Sequence, residues 1–397
     1  MRLQAPRPGS VLARLGDRPR IVVLRTGRVG DLVVLTPALR ALRAAVPRAH
    51  VTLLANQRAL PLAERLASVD DVVVVPDLMA MQRLGRGEPD TELRRLLEEL
   101  SARRFDLALQ CAGGGETTNA FVLALGARLT AGQQWPDAPR LDLWMPYQRA
   151  QPDVLRLLDI MELIGTPRGE PDYADIQVTP ADEAEVADLA VDLHRAVGVA
   201  PGAGSGARCW PPERFAAVLN ATVAQTDLTA VLLGTAEEAR ITAVVEEQAH
   251  GRVIDLAGRT SIGGMLAVLS RLRLLLANDS APAHLAHALG VPSVVVFGSA
   301  HPTQWAAPRR VWDRAVADET APCRRFAPPC GCPDNAHALC LAAIEVESVT
   351  EQVRALLGLL ADTPMTHWPH RAYGSADPEL DGQPPGRVVC AVRDRGG

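Results

Sequence analysis

Three stretches of this sequence hold residue types able to grip a phosphate or take a proton. Asn278-Asp279-Ser280-Ala281-Pro282-Ala283-His284 follows an apolar run, Leu272 to Ala277, and precedes an Ala/Leu-rich helical pattern, Leu285 to Leu289. Asp279, Ser280 and the backbone N–H groups after them therefore fall where a buried strand ends and a helix begins. Such a helix start offers unpaired N–H donors and the positive end of a dipole, which suit a phosphate. A second stretch, Pro201 to Pro211, is glycine-rich and closes with Arg208 and Trp210. Small residues there let a diphosphate approach the backbone, and a guanidinium donates a fork of hydrogen bonds. The third, Arg25-Thr26-Gly27-Arg28-Val29-Gly30-Asp31, sets the Asp31 carboxylate at a strand end, the edge where α/β folds bind ligands. Taken singly, each has a plainer explanation. Asp and Ser are favoured helix caps, Asp31 suits a first helical turn, and the Arg208 loop could be a surface loop.

The elements that must position these residues alternate strand and helix. Arg20 to Leu24 reads as a strand, and Leu32 to Ala45 as a helix with Leu35, Leu39 and Leu42 in register and Pro37 in its first turns. Val51 to Leu54 is the next strand, which completes a β–Gly-loop–α–β unit. Val72 to Val75, a helix over Glu92 to Arg103, and Leu107 to Gln110 continue the alternation. A glycine run at Gly113 to Gly115, a helix from Asn119 to Leu125, an irregular segment from Gln134 to Gln151, and a helix from Val154 to Ile164 close the first half. A Pro/Gly/Asp-rich connection, Pro167 to Asp175, is followed by a helix over Ala181 to Ala196 and a strand, Val197 to Ala200. The strand Ala230 to Leu233 is followed by Glu237 and Glu238, at the place where ribose hydroxyls are often held. Val253 to Leu256 leads into Ala257-Gly258-Arg259-Thr260-Ser261 and a helix from Ile262, and Ser293 to Phe297 is a later strand. Neither glycine loop fits G-x-G-x-x-G or the P-loop pattern.

At 397 residues the chain can hold two domains with sizeable cores. Its 48% hydrophobic and 22% charged content is that of a globular protein, and a net charge of −5 gives no general pull toward nucleic acid. All 41 basic side chains are Arg; there is no Lys. No stretch approaches the ~20 apolar residues of a membrane helix, and Met1 to Arg20 lacks an apolar signal core, so cytoplasm is the expected compartment. Seven cysteines, an odd number, do not form a secreted disulfide pattern.

With those residues in view, the chain resembles the heptosyltransferase family, glycosyltransferase family 9. The resemblance rests on Arg25 to Asp31 with Thr36-Pro37, Pro201-Gly202-Ala203 through Arg208-Cys209-Trp210-Pro211, and Leu256 to Ser261. Asn278 to His284 and Gly290-Val291-Pro292 through Phe297-Gly298 complete it, in order, from about Arg20 to Leu357. It implies an α/β fold of two Rossmann-like doubly wound domains facing across a cleft, the glycosyltransferase-B type. The implied domains are an extension at 1–19, an acceptor domain at 20–178, and a nucleotide-sugar domain at 179–345. A helix at 346–361 would pack back on the N-terminal domain, ahead of a flexible tail at 362–397.

The resemblance also implies an inverting transfer, without metal or other cofactor, from a nucleotide sugar, typically ADP-heptose, to an acceptor hydroxyl. Carried onto this sequence, Asp31 matches the proposed general base, with Thr26, Gly27 and Gly30 on the acceptor side. Arg208 stands where relatives often have Lys and would neutralise the diphosphate; Arg keeps the charge but changes the donor shape. Gly202 and Ala203 would line the donor, Glu237 or Glu238 the ribose, and Thr260 the adenine. Asp279, Ser280, Ala281 and His284 would hold the diphosphate and sugar. The acceptor is either a lipid-linked oligosaccharide, with peripheral contact at the inner membrane, or a soluble glycoside; nucleic acid is not an expected partner.

Cys323, Cys330, Cys332 and Cys340 lack the paired spacing of zinc ribbons and are read as a structural loop, with a metal site as the alternative. Two other functions stay open: a catalytically silent nucleotide-sugar-binding protein, and a transferase using another donor on a small molecule. An epimerase or dehydrogenase is disfavoured, since a Tyr-x-x-x-Lys pair needs a Lys that the chain lacks.

Overall fold

The computed structural model describes residues 7, 9–76, 81–82, 91–167, 169, 171, 173–189, 191–306, 312–320, 339–361 and 389–390. They form two compact units, Met1–Ile176 and Gln177–Gly397.

The first unit is built on a six-stranded parallel sheet in the order β3-β2-β1-β4-β5-β6. Its strands are β1 (Arg20–Arg25), β2 (His50–Ala55), β3 (Asp71–Val74), β4 (Leu107–Gln110), β5 (Leu129–Gln134) and β6 (Leu143–Pro146). β1 sits at the centre, paired Val22 to Thr52 on one side and Val22 to Ala108 on the other. Val22, Leu24, Leu54, Phe105, Ala108 and Phe121 bury together on one face. The central strands are apolar almost without alternation because a parallel sheet is covered on both faces. The sequence does not predict β5 or β6: β6 lies within the segment expected to be irregular, Gln134 to Gln151, and β5 ends where that segment begins. Their residues, Leu-Thr-Ala-Gly-Gln-Gln and Leu-Trp-Met-Pro, carry no apolar period; β5 is ordered by pairing to β4, and β6 by pairing to β5.

Helix α1 (Val29–Ala45) begins three residues earlier than its leucine pattern suggests, so Pro37 lies two turns inside it and not in its first turns. A proline there cannot donate to the carbonyl four residues back, that of Val33. The Thr36 hydroxyl donates to that carbonyl at 2.8 Å and replaces the lost bond. Helix α2 (Asp153–Ile164) runs beside α1 and ends on Gly165 in the left-handed conformation.

The second unit repeats the topology. Its strands are β7 (Ala196–Ala200), β8 (Thr229–Leu232), β9 (Val253–Asp255), β10 (Leu274–Asn278), β11 (Ser293–Phe297), β12 (Asp313–Ala317) and β13 (Val389–Cys390), in the parallel order β13-β12-β11-β10-β7-β8-β9. β7 is the central first strand, as β1 is in the first unit. Only Pro180–Glu185 of the helix expected over Ala181 to Ala196 is α-helical, and Ala196 already belongs to β7. Helices α3 (Pro212–Ala221), α4 (Ala239–Gln248), α5 (Ile262–Arg271) and α6 (Ala281–Leu289) follow four of the strands. Val197, Trp210, Phe215, Leu276 and Val294 form the core.

Helix α7 (Val346–Ala361) contributes Val349, Val353 and Leu356 to that same core, against α3 and β10 to β12. The resemblance assigns this helix to the N-terminal domain; its apolar stripe at three- and four-residue spacing is buried in the second unit. Cys340 is buried in that core, whereas Cys323, Cys330 and Cys332 lie outside the described residues. The expected tail, 362–397, is also outside them except for β13, which pairs with β12. Among the described residues no helix is long and apolar enough to cross a membrane.

Candidate active site

In the first unit the candidate residues gather at the carboxyl end of β1. Asp31 is the third residue of α1, and its Oδ2 accepts the backbone N–H of Arg28 at 3.0 Å. The cap expected from spacing is therefore real. It does not use up the group, because the side chain keeps 31% of its surface open. Gly27 makes the arrangement possible: a Cβ there would fall 2.5 Å from Asp31 Cγ, so the carboxylate lies where a side chain would stand. Gly30 is buried in the first turn of α1. The Thr26 hydroxyl is buried and has no hydrogen-bond partner among the described residues.

Sequence reading did not single out the groups behind Asp31. Arg25, the last residue of β1, is only 4% exposed. Its Nε donates to the Asp31 carbonyl at 3.1 Å and its Nη1 to the Cys111 carbonyl at 2.6 Å. Its Nη2 reaches Asp31 Oδ1 at 3.2 Å and Asp153 Oδ2 at 2.5 Å. Asp153 opens α2, is buried, and also takes a hydrogen bond from Arg156. Burial alone would raise the Asp153 pKa, but Arg25 and Arg156 outweigh it and hold the carboxyl below the usual range. Burial likewise opposes the charge on Arg25, and Asp153 and Asp31 more than restore it. The neighbouring Cys111 thiol is pushed up to about 12 by burial. The available signal was an arginine closing an apolar strand, since a buried charge needs partners.

In the second unit, the loops after five strands meet at the carboxyl edge of the sheet. Asn278, the last residue of β10, ties two of them together. Its Oδ1 accepts the Trp210 N–H at 3.1 Å and its Nδ2 donates to the Pro201 carbonyl at 2.6 Å. The loop after β7 abuts the loop after β8 at Gly202, where a Cβ would lie 2.3 Å from Glu238 Cδ. Ala203 accepts the Cys209 thiol at 3.7 Å. Glu238 closes a cap on its own turn, accepting from Thr235 N at 2.8 Å and from the Thr235 hydroxyl at 3.2 Å, while Glu237 is exposed. Gly258, at φ +69°, brings the loop after β9 against Ala236. Half-buried Thr260 follows, and next to it Ser261 caps α5 and is held by Glu185 at 2.7 and 2.5 Å. From the end of β11, Ser299 N donates to the Ala207 carbonyl at 3.3 Å.

Asp279 differs most from expectation. It is 2% exposed and offers a ligand almost no surface. Its Oδ2 lies 3.4 Å from Arg208 Nη1 and its Oδ1 lies 3.5 Å from His284 Nε2. Burial would raise its pKa; His284 first and then Arg208 outweigh that and hold it down. Asp279 therefore acts as the tether of two donors, and Arg208, whose side chain is 29% exposed, is the group that can reach outward. Ser280 stands at the cap position just before α6, but its hydroxyl donates back to the Asn278 carbonyl at 3.2 Å and does not cap the helix. Ala281 is thus the first residue of a helix that no side chain caps. The arrangement presents a guanidinium, an imidazole and a positive helix end together, which suits an anion. Among the described residues no cluster of three or more His, Cys, Asp or Glu could hold a metal ion.

Residues 93–327 match the family model for glycosyltransferase family 9 (heptosyltransferase). Over 302 residues the sequence is 24% identical to lipopolysaccharide heptosyltransferase 2 of Salmonella typhimurium, spanning 71% of this chain and 84% of the relative. Among solved structures, the glycosyl transferase family 9 protein from Veillonella parvula has a TM-score of 0.69 at 20% identity, covering 87% of this chain and 98% of that one. E. coli ADP-heptose lps heptosyltransferase II has a TM-score of 0.64 at 20% identity, covering 86% and 99%. At those identities the structural likeness speaks for the fold, and the fold is the glycosyltransferase-B type.

Proposed function

The chain belongs to glycosyltransferase family 9 and is a heptosyltransferase-like glycosyltransferase; from that premise we propose that it moves a heptose or related sugar from an ADP-sugar to an acceptor hydroxyl with inversion. Asp31 serves as the general base. Arg208 and the stretch from Asp279 to His284 stabilise the departing diphosphate. The observation that carries this assignment is Arg208, partly exposed and tethered to buried Asp279 beside the uncapped start of α6.

Inversion is a single displacement. The acceptor oxygen attacks the anomeric carbon opposite the diphosphate and loses its proton as the bond forms, while the bond to the diphosphate breaks. Asp31 has the means to take that proton: each oxygen has one fixed donor and a spare lone pair, and part of the carboxylate is open. Negative charge builds on the leaving oxygen, where donors held in place before reaction are most effective. Arg208 and His284, both fixed by Asp279, supply such donors together with the backbone at Ala281. Gly202 and Ala203 let the nucleotide approach the first loop, with Glu237 or Glu238 near the ribose and Thr260 near the adenine. The named relatives act on lipopolysaccharide, so a lipid-linked sugar at the cytoplasmic membrane face is the first acceptor to test, with a soluble glycoside as the second.

The test is titration calorimetry with ADP and ADP-heptose, followed by donor turnover. Asp31→Asn is expected to bind ADP as the native protein does and to lose turnover by about 10²- to 10⁴-fold. Arg208→Ala should weaken ADP binding by about 10- to 100-fold, one charged hydrogen bond contributing about 1.5–3 kcal/mol. Binding of NAD in place of ADP, or an Asp31→Asn protein with turnover near native, would overturn the assignment.

A further inference from the structure

We propose that Arg25 is the positioning residue of the base: held from behind by Asp153 and the Cys111 carbonyl, it fixes the place and orientation of the Asp31 carboxylate. This rests on the assignment of Asp31 as general base. Arg25 is too deeply buried to touch a substrate, so any effect on the reaction passes through Asp31.

The geometry is that of a clamp. One guanidinium reaches two parts of the same residue, the Asp31 carbonyl through Nε and the carboxylate through Nη2. Two contacts on one residue restrain rotation as well as position. The other edge of the guanidinium is anchored on Asp153 and on the Cys111 carbonyl, which follows β4. Asp153 is steadied in turn by Arg156, whose guanidinium lies 4.4 Å from the Tyr147 ring centroid. Strand β1, helix α2 and the segments after β4 and β6 all converge on this cluster, so the clamp is as rigid as the sheet.

The cluster behind the base alternates in charge: Asp153 bridges two guanidiniums, Arg25 through Oδ2 and Arg156 through Oδ1. The titratable and charged groups around this cluster are Asp31 from the start of α1, Asp153 and Arg156 from α2, Cys111 after β4 and Tyr147 after β6.

The experiment compares Arg25→Gln and Arg25→Lys in the full-length protein, with Asp31→Asn alongside. Steady-state turnover is measured against donor concentration, and ADP affinity reports that the second unit is intact. Arg25→Gln should lower kcat at least tenfold and leave the donor KM near native. Arg25→Lys keeps the charge but cannot make the clamp, so kcat should fall there too with the KM near native. If the Gln protein does not fold, the Lys protein decides: a lowered kcat with native KM supports the role, and a native kcat overturns it. Asp31→Asn separates the two claims. Turnover that survives in Asp31→Asn sinks the base assignment. Turnover lost there, with kcat native in Arg25→Gln, leaves the base standing and removes Arg25 from its role.

Discussion

Asp153→Asn probes the buried charge cluster through stability alone. The native carboxylate is 5% exposed and binds Arg25 at 2.5 Å through one oxygen and Arg156 through the other. At an effective dielectric constant of about 20, each such pair attracts by roughly 4 kcal/mol, and the cost of removing the ions from water offsets much of that. Neutralising Asp153 leaves that cost in place for the two guanidiniums and removes the charge that compensates it. Losing one partner of a buried pair typically costs about 3–5 kcal/mol, and the same loss is expected here. The assay is urea unfolding followed by circular dichroism, with the slope checked for constancy between proteins. The pH dependence gives a second measure. Because the folded pKa of Asp153 is lowered, its stabilisation is fully present above the unfolded value of 3.8 and is lost as pH falls through the folded one. The gap between native protein and Asp153→Asn should therefore be constant at neutral pH and shrink below about pH 4. A loss under about 1 kcal/mol, the level of an exposed ion pair, would refute the reasoning.

Three other substitutions have definite outcomes. Thr36→Val leaves the Val33 carbonyl without a donor opposite Pro37 and should cost about 1–2 kcal/mol in urea unfolding. Gly27→Ala drives a methyl group into Asp31 Cγ, at 2.5 Å, so turnover should fall by about tenfold or more with ADP affinity unchanged in calorimetry. Asp279→Asn frees Arg208 and His284 from their shared tether; ADP affinity should drop by about tenfold, roughly one charged hydrogen bond.

Much of the fold is legible in the residues. The apolar strands β1, β2, β4, β7, β8, β10 and β11 announce themselves because both faces of a parallel sheet are buried. β5 and β6 do not, since Gln133, Gln134 and Trp144 carry no periodic signal and are ordered only by the neighbour they pair with. The end of α1 is clear from its leucines, while its start depends on how the Gly27 loop turns.

For the site, local order along the chain was enough to single out Asp31, Arg208 and Asp279, because strand end, glycine loop and helix start are neighbours in sequence. Their division of labour was not accessible that way. Asp279 belongs to a stretch expected to hold the diphosphate, yet its carboxylate is buried and serves Arg208 and His284, which are 71 residues upstream and five downstream of it. Arg25 and Asp153 lie 128 residues apart and meet only because α2 returns to the edge of β1. Sequence alone determined which residue types stand at the strand ends. Only the tertiary structure decided which of those charges face outward and which are buried in partnership, because burial is set by the sheet and helices that close over a side chain, and those come from distant parts of the chain.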